Sequence, residues 1–314
     1  MTERPRASAA QSIADVAARI ALRVPLLERA VAAGCRRRDL RKLGLGAIAV
    51  GYSRVLQRRE LRIAELNGYR FWVNVAEPLG FVPYFFGEPG VVWLAPQLIR
   101  EGDVCIDAGA NVGHYSFAMA SQVQPSGRVL SIEANPEFAG LLERSIGLNR
   151  FGSTLEVVPR ALWSEAGIEL TFYVSTNPAN SGSSSLVDHG GALDRERPVR
   201  ALTTTLDVLA AERGIESIRL VKIDVERAED AVLCGSERLL RDARIDYLIV
   251  ELVKGQDTAR VLEQHAYRGY FLDVSRERLK LLADVSDGTF CDALFVSPKQ
   301  RSEFEARFAS VIDS

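Results

Sequence analysis

The chain has 314 residues, 47% hydrophobic and 25% charged, an ordinary globular composition with room for one large α/β domain and an extension. A formal net charge of −2 sets up no global field for nucleic acid, so no nucleic-acid partner is expected. The four cysteines, Cys35, Cys105, Cys234 and Cys291, form no Cys-x-x-Cys pair, which argues against a zinc or redox motif and suits a reducing, cytoplasmic setting.

Residues 1–60 read as a helical extension. Ile13, Val16, Ala17 and Ile20 follow helical spacing, and Pro25 should break or restart the helix. The first ten residues mix Glu3 with Arg4 and Arg6 without an apolar core, so no signal peptide is expected. The apolar run at 43–52 is only about ten residues long, where ~20 are needed to span a bilayer, so no transmembrane segment is expected. The basic cluster Arg36, Arg37, Arg38, Arg41 and Lys42 reads as a solvated helix face, with a docking surface as the sharper reading. An extension of this kind also offers a route to a homo-oligomer.

Residues 61–100 should hold a hairpin and a cover segment. Asn67-Gly68 between two apolar-alternating runs is a strong hairpin signal. Gly, Pro and aromatic residues, among them Phe81, Tyr84, Phe85, Phe86 and Trp93, then fill 77–100.

From about residue 101 the pattern alternates strand and helix to residue 298. Strands are expected at 104–108, 128–134, 155–158, 168–174, 199–202, 218–225, 245–252, 270–274, 278–282 and 292–297. Helices are expected at 112–122, from Pro136 onward, at 206–213, and over a face with Ala228, Ala231, Val232 and Leu239. Residues 299–314 read as a C-terminal helix. Such alternation implies a parallel sheet with right-handed crossovers, a doubly wound α/β fold. The polar stretch 175–198, with Ser183, Ser184 and Ser185, is long for a connection and reads as an acceptor-side lid.

The chemistry concentrates at two strand ends. The first is Val104-Cys105-Ile106-Asp107-Ala108-Gly109-Ala110-Asn111-Val112-Gly113, a buried strand followed by a glycine turn that opens a helix. A nicotinamide site has Gly-x-Gly-x-x-Gly, but Asn111 stands where the second glycine would be, and Asp107 opposes a pyrophosphate. S-adenosylmethionine carries an ammonium and a sulfonium, which an acidic strand end favours. Glu133, 20 residues after Gly113, is placed to accept hydrogen bonds from ribose hydroxyls. The segment Pro159-Arg160-Ala161-Leu162 continues the third strand toward the same crevice, where Ala161 and Leu162 would line the adenine.

The second strand end is Lys222-Ile223-Asp224-Val225-Glu226-Arg227-Ala228-Glu229. In an extended segment Asp224 and Glu226 share a face, so Asp224 is assigned to the donor and Glu226 to the acceptor as a base. The competing reading gives Glu226 to helix capping. His189 stands behind them as a third candidate base. His114 and His265 read as structural, and no cluster suggests a metal site.

The glycine motif 107–113, the Lys222–Glu226 step with Ala228-Glu229, the serine-rich stretch from Ser181 to Leu186 and Thr205-Leu206-Asp207 together resemble, in order, the FkbM-type methyltransferases. The resemblance covers roughly residues 100–298. It implies a Rossmann-like fold and methyl transfer from S-adenosylmethionine, often to a hydroxyl of a sugar or secondary metabolite. Arg227 departs from the family, which usually has glycine there. A nicotinamide-dependent oxidoreductase and a non-catalytic binding protein are the competing functions.

Overall fold

The structure, a computed structural model, describes residues 9–36, 55, 60–87, 92–175, 193–255 and 257–313. The chain divides into two compact units, residues 1–89 with 177–181, and residues 90–176 with 182–314. The second unit therefore begins about ten residues before the expected boundary at 101 and takes in the short helix Ala95–Leu98.

In the first unit, helices α1 (Ala9–Arg23) and α2 (Pro25–Arg36) are separated by Val24, with Pro25 opening the second, where its missing N–H costs nothing. Strands β1 (Leu61–Leu66) and β2 (Tyr69–Asn74) pair antiparallel with Leu66 opposite Tyr69. Asn67 and Gly68 both take positive φ, 46° and 86°, the requirement of a type I′ turn. Helix α3 (Pro78–Phe86) packs on this hairpin, and its Gly80 sits so close to Asn74 that a Cβ would lie 2.1 Å from the Asn74 carbonyl. Glu28, buried in α2, accepts from the Arg62 guanidinium at 2.7 and 3.0 Å and from the Tyr84 hydroxyl at 2.9 Å. Arg36 donates to the Tyr84 carbonyl at 2.9 Å while remaining exposed to solvent. The rest of the basic cluster, 37–42, lies outside the described residues.

In the second unit, nine strands among the described residues form one sheet in the order β14-β12-β11-β13-β10-β9-β3-β4-β5. These are β3 (Val104–Ala108), β4 (Arg128–Ile132), β5 (Leu155–Val158), β9 (Ile218–Ile223), β10 (Ile245–Val253), β11 (Arg268–Asp273), β12 (Arg278–Leu281), β13 (Phe290–Val296) and β14 (Ile312–Asp313). Strands β5, β4, β3, β9 and β10 run parallel, and the order reverses between β3 and β9. That reversal is the switch point at which doubly wound sheets bind ligands, outside the carboxyl ends of the strands. The Rossmann-like expectation holds, with β13 inserted antiparallel between β10 and β11. The core is a run of fully buried Ile, Leu and Val from these strands, among them Ile106, Leu130, Val221, Ile223, Leu248 and Val250. Helices α5 (His114–Val123) and α6 (Pro136–Ile146) follow β3 and β4, the latter capped by Asn135, whose side chain accepts from the Glu137 N–H at 3.0 Å.

The third strand covers Leu155–Val158 as expected. Four expectations are corrected. Strand β8 (Leu193–Thr204) begins inside the stretch 175–198 read as a lid, and with β6 (Ala161–Leu162) and β7 (Glu169–Ser175) it forms a separate small sheet. The helix expected across 228–239 is two, α8 (Glu229–Cys234) and α9 (Glu237–Arg241). Gly235 between them approaches the Trp163 carbonyl so closely that a Cβ would stand 2.2 Å away, a fit no continuous helix with a side chain there allows. The C-terminal helix covers only Arg301–Arg307, after which the chain turns into β14 beside β12. Strand β9 stops at Ile223, short of Asp224. No helix among the described residues is long and apolar enough to cross a membrane.

Candidate active site at the carboxyl edge of the sheet

The glycine turn after β3 is fixed from both sides. The Gly109 and Ala110 N–H groups donate to the Ile132 carbonyl of β4 at 3.0 Å each, and the Asn111 N–H donates to the Glu133 carboxylate at 2.7 Å. On the other side the Asp224 N–H donates to the Ala108 carbonyl at 3.0 Å. Gly109, at φ 78°, lies against Asp224 so tightly that a Cβ would come within 1.8 Å of its carbonyl oxygen. Gly113, at φ 92°, leaves no room for a Cβ beside Leu142 and Phe117 and opens α5. Asn111 is held in the left-handed region at φ 51°, and its side-chain Oδ1 is buried without a hydrogen-bond partner.

Asp107 is 2% exposed and accepts from the Ser116 hydroxyl at 2.6 Å, while Ser116 accepts from Ser131 at 2.7 Å. Burial pushes its carboxyl up to about 6, opposed by Ser116 and by Lys222, its cross-strand neighbour on β9. Its charge therefore acts on the crevice from inside the protein. Glu133, at the end of β4, accepts from the Asn111 and Asn135 N–H groups at 2.7 Å each, and burial raises it to about 7. Each of its oxygens keeps an acceptor site beyond these bonds.

The turn after β9 departs from the sequence reading. Glu226 and Arg227 both take positive φ, 56° and 74°, so the segment is not extended and the shared-face argument for Asp224 and Glu226 does not hold. Capping is not the role of Glu226 either. Helix α8 starts at Glu229, whose own carboxylate accepts from the Val225 and Arg227 N–H groups at 3.1 and 3.2 Å. Arg227 occupies a left-handed position that glycine adopts without strain, which explains the family's usual glycine. Asp224 instead pairs with the buried Lys222 ammonium at 3.1 Å. Glu226 is half-buried and raised to about 7 by burial first and then by Asp224 and Glu229, with Arg227 and Lys222 opposing.

Two carboxylates that sequence reasoning missed complete this edge. Asp292 on β13 stands directly opposite Glu251 on β10 and lies 3.8 Å from the Lys222 ammonium. In the sequence Asp292 is the one acid of an apolar strand and Glu251 shares its strand with Asp246, and no motif surrounds either. Lys222, the one buried Lys or Arg among the described residues, also lies 5.4 Å from the Tyr115 ring centre.

The remaining candidates divide. Leu162 is 5% exposed and sits in the same core as Leu206 and Leu209, so its side chain fills the interior; Ala161 stays half-buried. His114 is pushed down to about 4 by burial, which keeps it neutral at physiological pH and a weak proton acceptor. His265 pairs with Glu237 on the helical side of the unit, at 3.2 Å. His189, Ser183, Ser184 and Ser185 lie outside the described residues. No group of three or more His, Cys, Asp or Glu with metal-holding geometry occurs among the described residues.

The family model described as the methyltransferase FkbM domain matches residues 107–273, more than half of the chain and the whole stretch from Asp107 through Glu251. The chain belongs to this family. It is 29% identical over 202 residues, 63% of its length and 77% of the relative's, to the hexuronic acid methyltransferase AglP of Haloferax volcanii. It is 30% identical over 163 residues, 44% of its length and 61% of the relative's, to the 31-O-demethyl-FK506 methyltransferase FkbM of Streptomyces tacrolimicus. Among solved structures, an FkbM methyltransferase from Methylobacillus flagellatus KT aligns with TM-score 0.40 at 14% identity, covering 67% of this chain and 48% of that one. The methyltransferase expectation thus stands over the nicotinamide-dependent alternative. As an FkbM-domain protein, the chain carries both of the family's motifs on the two strands that flank the switch point.

Proposed function

We propose that the protein moves a methyl group from S-adenosylmethionine to a hydroxyl of a small-molecule or glycan acceptor. The observation that carries this reading is the charge of the sheet edge. Asp107, Asp224, Glu226, Glu251 and Asp292 gather around one buried cation, Lys222, and Glu133 stands beside Asp107 at the end of the neighbouring strand. An edge of that sign attracts a ligand bearing an ammonium and a sulfonium and repels a pyrophosphate.

The residues present fit such a donor. Glu133 has acceptor capacity for ribose hydroxyls, the orphaned Asn111 Oδ1 is a buried acceptor awaiting a donor group, and Asp107 and Asp224 supply negative charge beside the turn. Ala161 is the candidate to border the base. When bound, S-adenosylmethionine supplies a methyl on a positively charged sulfur, which leaves as a neutral thioether. The protein's own part is to hold the acceptor in line, where effective molarities of ~10⁵–10⁸ M set the scale, and to receive the acceptor's proton. Glu226 is proposed on the acceptor side with Asp224 toward the donor. Ser183, Ser184, Ser185 and His189 remain proposed as an acceptor-side loop. The exposed Arg227 beside Glu226 suits an acidic group on the acceptor, as a uronate would carry. The two relatives, a hexuronic acid methyltransferase and a 31-O-demethyl-FK506 methyltransferase, support an oxygen acceptor.

The test is mass spectrometry of native cell extract incubated with the protein and methyl-labelled S-adenosylmethionine. A metabolite that gains the labelled methyl is expected. Donor binding without any labelled product would favour the non-catalytic reading.

A further inference from the structure

We propose that Glu251 is the base that receives the acceptor's proton. This deepens the methyltransferase reading above and rests on it. Strand β10 lies parallel to β9 with Ile249 opposite Lys222 and Val250 opposite Ile223, so the next step sets Glu251 beside Asp224. On its other side Glu251 faces Asp292 of β13 directly. Side chains two apart on a strand share a face, and so do direct cross-strand partners. Lys222, Asp224, Glu251 and Asp292 therefore share one face, the one on which Tyr115 of α5 lies over the Lys222 ammonium.

Within this group the carboxylates are not equivalent. Asp224 and Asp292 are spent on Lys222, at 3.1 and 3.8 Å. Glu229 is spent on the N–H groups of Val225 and Arg227. Glu251 and Glu226 are both half-buried and, among the described residues, make neither a hydrogen bond nor an ion pair. A carboxylate partly removed from water without a partner is costly in a fold and calls for a use. The groups facing Glu251 explain its proton affinity. Burial raises it, Asp224, Glu226 and Asp292 raise it further, and Lys222 alone opposes them. Together they push it up to about 8, so its ionised, basic form grows as pH rises toward that value, a proton affinity close to the operating pH that suits a general base.

The acceptor's O–H bond breaks and its proton goes to a Glu251 oxygen. The acceptor oxygen's electron pair forms the new bond to the methyl carbon, and the pair of the broken carbon–sulfur bond leaves with the thioether. Glu251 then gives the proton up to water.

Three measurements on wild type, Glu251→Gln and Glu251→Asp test this. Calorimetry with S-adenosylmethionine should give donor affinities within about twofold of one another. Labelled-methyl incorporation in native extract should fall at least roughly tenfold in Glu251→Gln, with partial activity in Glu251→Asp, and its rise with pH through neutrality should flatten. Carbon-13 NMR of glutamate carboxyls in the unliganded wild-type protein should show a titration well above the ordinary glutamate range that Glu251→Gln removes. Full incorporation with an unchanged pH profile in Glu251→Gln overturns the role of Glu251 alone. So does a wild-type spectrum in which all glutamates titrate in the ordinary range, a result independent of whether either variant folds. Failure of the wild type to bind the donor overturns the methyltransferase reading and the base with it.

Discussion

Glu226 and Arg227 carry strain of two different kinds, and each has a measurable signature. Glu226 is raised from 4.5 to about 7, by burial before its acidic neighbours. Well below pH 4.5 it is protonated in both folded and unfolded chains and costs nothing; between about 4.5 and 7 the unfolded chain ionises while the folded one keeps its proton, so the cost accumulates over that window and is complete above 7. With solvent screening at a half-buried site, that cost is about 1–2 kcal/mol. Glu226→Gln should therefore raise stability toward urea by about that much at pH 8 and leave it nearly unchanged at pH 4.5. An equal change at both pH values would show that the carboxylate is not destabilised by its surroundings. Arg227, at φ 74°, pays for a left-handed backbone that a side chain disfavours by about 1–2 kcal/mol. Arg227→Gly should gain about 0.5–1 kcal/mol, reduced by the greater freedom of glycine in the unfolded chain, whereas Arg227→Ala keeps the strain and should gain nothing. Urea denaturation in which the alanine variant is the more stable would contradict this.

At the scale of elements, the glycine turn is the joint that sets β3, β4 and β9 in register. A Cβ on Gly109 meets the Asp224 carbonyl at 1.8 Å, and the backbone is at φ 78°, so Gly109→Ala should cost at least about 2 kcal/mol and loosen the donor site. Gly140, inside α6, has nothing within 4 Å of its would-be Cβ, so Gly140→Ala should be neutral or stabilising by up to about 1 kcal/mol. Similar losses in both variants would argue against the turn as a joint. What was legible in the sequence follows the same division. The Asn67-Gly68 hairpin, β3, β4 and the acids at 107 and 133 were readable because local chemistry decides them: positive φ at two turn residues, and apolar strands that end in polar groups. The bend at Glu226 was not, because neither residue of the left-handed pair is glycine. The break at Gly235 was not, because its cause is the Trp163 carbonyl, distant in sequence. Glu251 and Asp292 were invisible as a pair because they meet only when β13 inserts antiparallel beside β10.

At the scale of the whole molecule, the proposed methyl donor rests on the acidic edge of the nine-stranded sheet. The central claim is that this edge binds a cationic methyl donor and rejects a pyrophosphate. Titration calorimetry of the full chain against S-adenosylmethionine and, separately, against NAD tests it most directly. The account predicts saturable binding of S-adenosylmethionine, weakened in Glu133→Ala by about 0.5–3 kcal/mol as ribose hydrogen bonds are lost, and no measurable heat with NAD. Saturable binding of NAD with none of S-adenosylmethionine would contradict it.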